Sequence, residues 1–296
     1  MSATVESIRG LRDRVLVFGH MIRFSHSVFA LPFALSGVLF AAHRTGSFPP
    51  AKTWIWVVLA MVGARSAAMT FNRIADRHQD ARNPRTQSRA LPGGAMSVRT
   101  AWVFTLLSVT LFIVATSQIN RTAFLLAPVA LAIVFFYSFT KRFTWASHFF
   151  LGLALAVAPV GGWVAVTGRL DAAPFVLAAG VLAWVAGFDI CYALQDVEFD
   201  QSQGLFSLPA SFNVETAFTA ARVCHGLAVL ILGSLVFWLD LSPWYLAGIA
   251  LIAGVLVYEH RLISPHDWRN LNRAFFDMNA VISVIFLGAS ALGVFL

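Results

Sequence analysis

The sequence predicts an all-α polytopic membrane protein: nine transmembrane helices around a central cavity, with the N-terminus cytoplasmic. Three observations predict it. The chain is 58% hydrophobic and only 12% charged over 296 residues, where a soluble domain carries about a quarter charged residues. Its apolar residues fall in blocks close to the ~20 residues needed to cross a bilayer as a helix. The period-2 alternation of a membrane barrel strand is missing, and lipid offers no partner to an unpaired backbone group, so each block is read as a helix.

The blocks follow in order. Residues 1–23 mix Arg9, Arg12, Arg14 and Arg23 with Val5, Ile8, Leu11, Val15 and Phe18 on roughly one face. That pattern predicts an amphipathic helix lying on the membrane surface rather than a cleavable leader. Spans are expected near 24–42, 54–71, 100–117, 122–140, 149–167, 173–191, 216–238, 243–258 and 278–296, all in one intramembrane domain covering 1–296. Segments 72–99 and 192–215 interrupt the blocks with polar residues and carry the motifs described below. Cys191 and Cys224 sit within or beside apolar blocks. Two widely spaced cysteines predict small buried hydrophobes, with neither a disulfide nor a metal framework.

Charge sets the expected orientation. Of 21 Lys and Arg residues, only Arg44, Lys52, Arg121 and Arg169 fall on the side opposite the N-terminus, and Arg65 and Arg222 lie within spans. All the others flank the N-terminal side, which the positive-inside rule places in the cytoplasm. The net charge of +7 is therefore a topology signal, and no nucleic-acid partner is expected. Multi-pass insertion in a bacterial-type inner or plasma membrane follows, with the lipid bilayer as solvent.

Two acidic clusters then stand out. Asn72, Asp76 and Asp80 are spaced i, i+4, i+8 at the end of the second span, and Asp189, Tyr192, Asp196 and Asp200 recur in steps of 3, 4 and 4 at the end of the sixth. On a continuous helix such residues stay within about 40° of one another per step and form a stripe. Stacked carboxylates near a membrane repel and are costly to desolvate, so a cation that they hold together is the natural compensation. An all-oxygen donor set suits Mg²⁺, which takes one or two carboxylates and completes its shell with water and substrate phosphates. Both clusters lie at the same end of their spans, so facing stripes would make a diphosphate clamp.

These residues resemble the UbiA superfamily of intramembrane aromatic prenyltransferases over nearly the whole chain. The resemblance rests on Asn72-x₃-Asp76-x₃-Asp80, on Asp196-x₃-Asp200, on the stretch from Asp80 to Gly94 (DARNPRTQSRALPGG), on Tyr137-Ser-Phe-Thr-Lys141-Arg142, and on Gly204-Leu-Phe-Ser207-Leu-Pro. Within it, the chain is similar to the 4-hydroxybenzoate polyprenyltransferase branch. Ala158-Pro-Val-Gly-Gly-Trp163 and Gln195-Asp-Val-Glu-Phe-Asp200 point to a subgroup of menaquinone synthesis through the futalosine route, whose acceptor would be a dihydroxynaphthoate carboxylate. That subgroup often has Arg-Phe-Gly where this chain has Ser211-Phe-Asn213.

The resemblance implies transfer of a polyprenyl group from its diphosphate to a small aromatic acid, 4-hydroxybenzoate or a hydroxynaphthoate, in ubiquinone or menaquinone biosynthesis. Asn72, Asp76, Asp80, Asp196 and Asp200 would hold Mg²⁺. Lys141, with Arg23, Arg77 and Arg142, would neutralise phosphate charge. Tyr137, Tyr192 and Phe188 would shelter an allylic cation. Arg65 lies two turns before Asn72 inside a span and either meets a phosphate or carboxylate or is an incidental snorkelling residue; Asp189 either binds substrate or supports a ligand. Arg73, Arg82, Arg85, Arg89 and Arg99 are read either as topology signals or as structural partners of their loop. Two readings stay open beside this one: a membrane transporter with an acidic cation or substrate site, and a related enzyme acting on another lipophilic acceptor.

Overall fold

The computed structural model describes residues 17–19, 21, 30–263, 271 and 278–296. The expectations for Arg23, for residues 1–16 of the surface helix, for the start of the first span and for Arg269 and Arg273 lie outside the described residues. What is described is α-helix throughout, in twelve elements: α1 (Leu31–Thr45), α2 (Ala51–Ala75), α3 (Arg77–Arg82), α4 (Val98–Ile119), α5 (Arg121–Thr140), α6 (Ser147–Thr167), α7 (Ala172–Tyr192), α8 (Val197–Ser202), α9 (Leu208–Ser211), α10 (Val214–Leu239), α11 (Trp244–Leu262) and α12 (Asn279–Phe295), with a 3₁₀ turn at Ala193–Asp196 between α7 and α8.

Seven of these helices, counting α7 through α8 as one, are long and apolar enough to cross a membrane. α12 is a shorter apolar helix of 17 residues, and α1 is described over 15 residues. Their ends are legible as chemistry. Ser97, Asn120 and Asn213 each accept a backbone N–H from the residue three ahead, at 3.1, 2.8 and 2.7 Å, which satisfies one of the orphan donors of a helix start. Gly46 and Gly168 close α1 and α6 in the left-handed conformation that glycine adopts without a Cβ clash.

The helices form two groups. α2 packs with α4, and α5 closes on both; α6, α7, α10 and α11 pack successively, and α12 sits between α11 and α1. α5 joins the groups by packing on α6, and α1 crosses α6 as well. At that crossing Gly37 lies against the backbone of Pro159 and Gly162 against the backbone of Ala34, so closely that a Cβ on either would overlap the facing carbonyl. Small residues that let backbones touch replace the hydrophobic drive that lipid cannot supply. The aromatic core lies on the α7–α12 side, where Phe33, Phe40, Trp184, Tyr245 and Phe286 are buried together. The outward faces are apolar and exposed, as at Leu106, Leu125, Leu230 and Phe237, which is the expected surface where lipid is the solvent.

Of the expected surface helix, Val17, Phe18, Gly19 and Met21 are described. The first three lie in helix, and Met21 is buried among Ile74, Met96 and Ala101, with Val17 and Phe18 packed alongside. Phe18 stacks on Phe104 at 4.1 Å between ring centroids. These apolar side chains therefore meet the protein itself, beside the end of α2.

Candidate functional site

The acidic motifs sit where two long helices end, and there the structure departs from the continuous stripes expected. α2 stops at Ala75, and Asp76 takes φ −93°, ψ 6° before α3 begins. α7 stops at Tyr192 and passes through the 3₁₀ turn, and Asp196 takes φ −113°, ψ 6° before α8 begins. Both middle aspartates thus occupy a hinge-like junction between a spanning helix and a short one. The break has a local cause: a short polar side chain tolerates the bridge region of the backbone, which interrupts a helix at little cost.

The two motifs face one opening. A cavity of about 320 Å³ is lined by Arg65, Asn72, Asp76, Tyr137, Lys141, Asp189, Tyr192 and Asp196, among others. It continues into a smaller space of about 120 Å³ lined by Asp76, Asp80, Lys141, Arg142, Asp196 and Asp200. Arg85 and Arg89 line both. Met69, Leu151, Leu155 and Phe188 supply the apolar wall of the larger cavity. Lys141 lies in the loop between α5 and α6, whose carbonyl accepts the N–H of Phe206 at 2.7 Å. This backbone bond ties the loop to the segment that follows the second motif.

The carboxylates are held by cations, one of which, Arg85, reaches across from the loop after the first motif to the second. Asp196 is gripped by both ends of the Arg85 guanidinium, through Nε to Oδ1 at 3.0 Å and through a short contact from Nη2 to Oδ2, and it accepts Asn83 Nδ2 at 2.9 Å. Arg85 also donates to the Tyr192 hydroxyl at 3.1 Å and lies over its ring. Asp200 pairs with Lys141 Nζ at 2.7 Å and accepts Ser207 Oγ at 2.9 Å. Asp80 accepts Arg89 Nη1 at 2.7 Å. Asp76 accepts Asn72 Nδ2 at 2.8 Å and has Arg142 at 3.3 Å. Burial and the charge of Asp80 push the Asp76 carboxyl above its ordinary range, against the pull of Arg142.

Among the described residues, no three acidic, histidine or cysteine side chains close on one point as a ready-made cage. The facing stripes expected to hold a metal between them are separated by basic side chains instead. The donor set still fits a magnesium–phosphate assembly. All five motif residues present oxygen, and Mg²⁺ needs only one or two carboxylates when phosphate and water supply the rest. Asp200 Oδ1 is buried with no hydrogen-bond partner, and Asp80 Oδ2, also without one, has Arg73 Nη1 at 4.0 Å. A buried carboxylate oxygen left unpaired is costly unless a cation uses it.

The structure places the other predicted residues as follows. Arg65 lines the cavity with its Nε buried and unpartnered. Tyr137, Tyr192 and Asp189 line it as well. Arg142 touches only the smaller space and also donates to the Ala75 carbonyl at 2.7 Å, over the end of α2. Arg77 departs from its expected phosphate role: its Nη1 donates to the Ile74 carbonyl at 2.9 Å and it lines neither space. Position explains this, since the residue just after Asp76 points back along α2. Arg85 and Arg89, read from sequence as topology signals or structural partners of their loop, are partners of the acids, and Asn83 joins them. His148, facing Asp189 at 2.7 Å, carried no sequence signal at all, because its partners lie 41 and 60 positions away.

Comparison with known proteins gives a consistent result. The UbiA prenyltransferase family matches residues 30–282. A 4-hydroxybenzoate octaprenyltransferase of Aromatoleum aromaticum is 30% identical over 241 residues, covering 81% of each chain. That of Escherichia fergusonii is 27% identical over 282 residues, covering 94% of this chain and 95% of its own. Among solved structures, the apo form of a UbiA homolog from Aeropyrum pernix K1 superposes with a TM-score of 0.81 at 32% identity, covering 90% of this chain and 97% of that one. A UbiA homolog from Archaeoglobus fulgidus bound to GPP and Mg²⁺ has the same fold, with a TM-score of 0.70 at 20% identity over 95% of this chain and 100% of that one.

Proposed function

Since the chain belongs to the UbiA prenyltransferase family, we propose that it transfers a polyprenyl group from polyprenyl diphosphate to a small aromatic hydroxy acid, 4-hydroxybenzoate or a hydroxynaphthoate, in quinone biosynthesis. The observation that carries this reading is that Asp76 and Asp196, from motifs far apart in sequence, line one cavity with Lys141 and an apolar wall. The curated relatives named for octaprenyl transfer to 4-hydroxybenzoate and the Archaeoglobus homolog bound to GPP and Mg²⁺ support it.

In this reading Asn72, Asp76, Asp80, Asp196 and Asp200 hold Mg²⁺, which when bound neutralises charge on the departing diphosphate. Lys141 and Arg89 turn from the aspartates to the phosphate oxygens, Arg85 keeps Asp196 oriented, and Arg142 braces the end of α2. Separation of the prenyl carbon from the diphosphate oxygen leaves an allylic cation, which the faces of Tyr137, Tyr192 and Phe188 stabilise. The ring carbon beside the acceptor's hydroxyl attacks it and then loses its proton. The apolar wall of Met69, Leu151 and Leu155 limits capture of the cation by water. Nine spans with a cytoplasmic N-terminus put this mouth at the inner leaflet.

Purified protein in detergent with Mg²⁺ and a polyprenyl diphosphate is expected to prenylate one of these two acceptors. No prenylated product from either, or from any other aromatic acceptor, sinks the proposal. Quinone profiles of cells lacking the gene separate the acceptors, by loss of ubiquinone or of menaquinone.

A further inference from the structure

A second polar pair in the cavity wall plays no part in gripping a diphosphate. His148, in the first turn of α6, is 2% exposed, and both its nitrogens are used. Nε2 lies 3.1 Å from the backbone N–H of Leu208. Nδ1 lies 2.7 Å from Asp189 Oδ2. A neutral imidazole offers one donor and one acceptor. The amide of Leu208 can only donate, so Nε2 is the acceptor and the proton sits on Nδ1, where it is donated to Asp189. The backbone of α9 therefore fixes the tautomer, and the tautomer fixes the carboxylate.

Asp189 is itself a cavity residue, with about a quarter of its side chain exposed (24%). It stands one helical turn before Tyr192 and two before Asp196. With Oδ2 engaged, Oδ1 is the oxygen left to a bound molecule. An ionised carboxylate only accepts hydrogen bonds, so the complementary group is a donor. Of the two substrates proposed above, the prenyl diphosphate offers no donor. The aromatic acid offers one, its ring hydroxyl. A hydroxyl donating to a carboxylate also enriches the ring in electron density, which favours attack on a cation.

The anchor of His148 is placed to couple the two halves of the site. Leu208 follows Ser207, and Ser207 Oγ donates to Asp200 Oδ2 at 2.9 Å. One turn of chain thus supports the terminal aspartate of the second motif on one residue and aims Asp189 through His148 on the next.

We propose that His148 is a positioning residue that aims Asp189 to receive the ring hydroxyl of the aromatic acceptor, making the His148–Asp189 pair the element that selects hydroxylated rings. This rests on the prenyl-transfer reading. The test compares kcat/KM for 4-hydroxybenzoate and 4-methoxybenzoate in the full-length enzyme with Mg²⁺ and a polyprenyl diphosphate. The wild type is expected to prefer the hydroxyl by about 10-fold or more, the effect of one charge-assisted hydrogen bond. Asp189→Ala is expected to bring that preference close to 1. His148→Gln keeps an acceptor for Leu208 but loses the donor to Asp189, and is expected to lose most of the preference. His148→Asn places an amide donor near Nδ1 and is expected to restore it. The KM for the prenyl diphosphate is expected to stay within about twofold throughout. An unchanged hydroxyl preference in Asp189→Ala and His148→Gln overturns the proposal, as does a parallel rise in the diphosphate KM. Should His148→Gln fail to fold, Asp189→Ala decides alone. Absence of turnover with every aromatic acceptor in the wild type overturns the prenyl-transfer reading instead.

Discussion

The two aspartate motifs share a spacing, a helix break and nearly the same backbone angles at their middle residue, yet they are held in opposite ways. In the second motif every grip is strong. Asp196 takes a two-point contact from Arg85 and another from Asn83, while Asp200, at 0% exposure, takes Lys141 and Ser207. In the first motif Asp80 is paired with Arg89, but Asp76 remains about a third exposed and has Arg142 only at 3.3 Å. The asymmetry also crosses over: Arg85 and Asn83 belong to the loop after the first motif and serve the second. The second motif is thus the more tightly paired, whereas the first keeps at its middle residue a carboxylate that solvent reaches, held by Asn72 at 2.8 Å and by the longer contact from Arg142. Burial and the charge of Asp80 raise that carboxyl above its ordinary range despite Arg142.

The largest effect that could break this comparison is removal of the metal. Chelation with EDTA is expected to abolish prenyl transfer and added Mg²⁺ to restore it; full activity in chelator would remove the clamp from both motifs. Next come the middle aspartates. Asp76→Asn and Asp196→Asn are each expected to lower kcat by on the order of 10²–10³-fold, the cost of one misplaced electrostatic group at the reacting charge. Wild-type rates in both, with intact folding by size-exclusion chromatography, would refute the reading. The contrast is sharpened by Arg85→Ala, expected to reduce Mg²⁺ affinity or kcat by about 10–100-fold, as loss of a group that orients a ligand does. A tighter Mg²⁺ site in that variant would mean that Arg85 competes with the metal rather than holding its ligand. Smallest is Ser207→Ala, which removes one hydrogen bond from a buried carboxylate and is expected to cost roughly 1.5–3 kcal/mol of stability, read as a lower Tm with activity largely kept at low temperature.

Much of this architecture is legible in the amino-acid string, because lipid as solvent leaves few options. An apolar block must be a helix, and the blocks expected near 54–71, 100–117 and 122–140 appear as α2, α4 and α5, the first two several residues longer and the third nearly as expected. The motifs were visible as spacing, and Asn72, Asp76, Tyr137, Lys141, Asp189, Tyr192 and Asp196 do line one cavity. What spacing could not give was the break at Asp76 and Asp196, since i, i+4 periodicity presumes the helix that those residues interrupt. Nor could it say which arginine finds which acid. Arg85 reaches Asp196 across 111 positions, and nothing local distinguishes it from Arg82, which reaches Gln203 instead. His148 is the extreme case, an isolated histidine whose meaning comes wholly from tertiary neighbours. Cys191 and Cys224, expected as buried hydrophobes, are buried and unbridged.

The glycine crossing of α1 and α6 has a consequence for tolerance to change. Where Gly37 meets Pro159 and Gly162 meets Ala34, a Cβ would meet a backbone carbonyl, with no side chain there to swing aside. Even alanine at either position would have to push the helices apart, so the spacing of α1 and α6 is set by two residues that have no side chain at all.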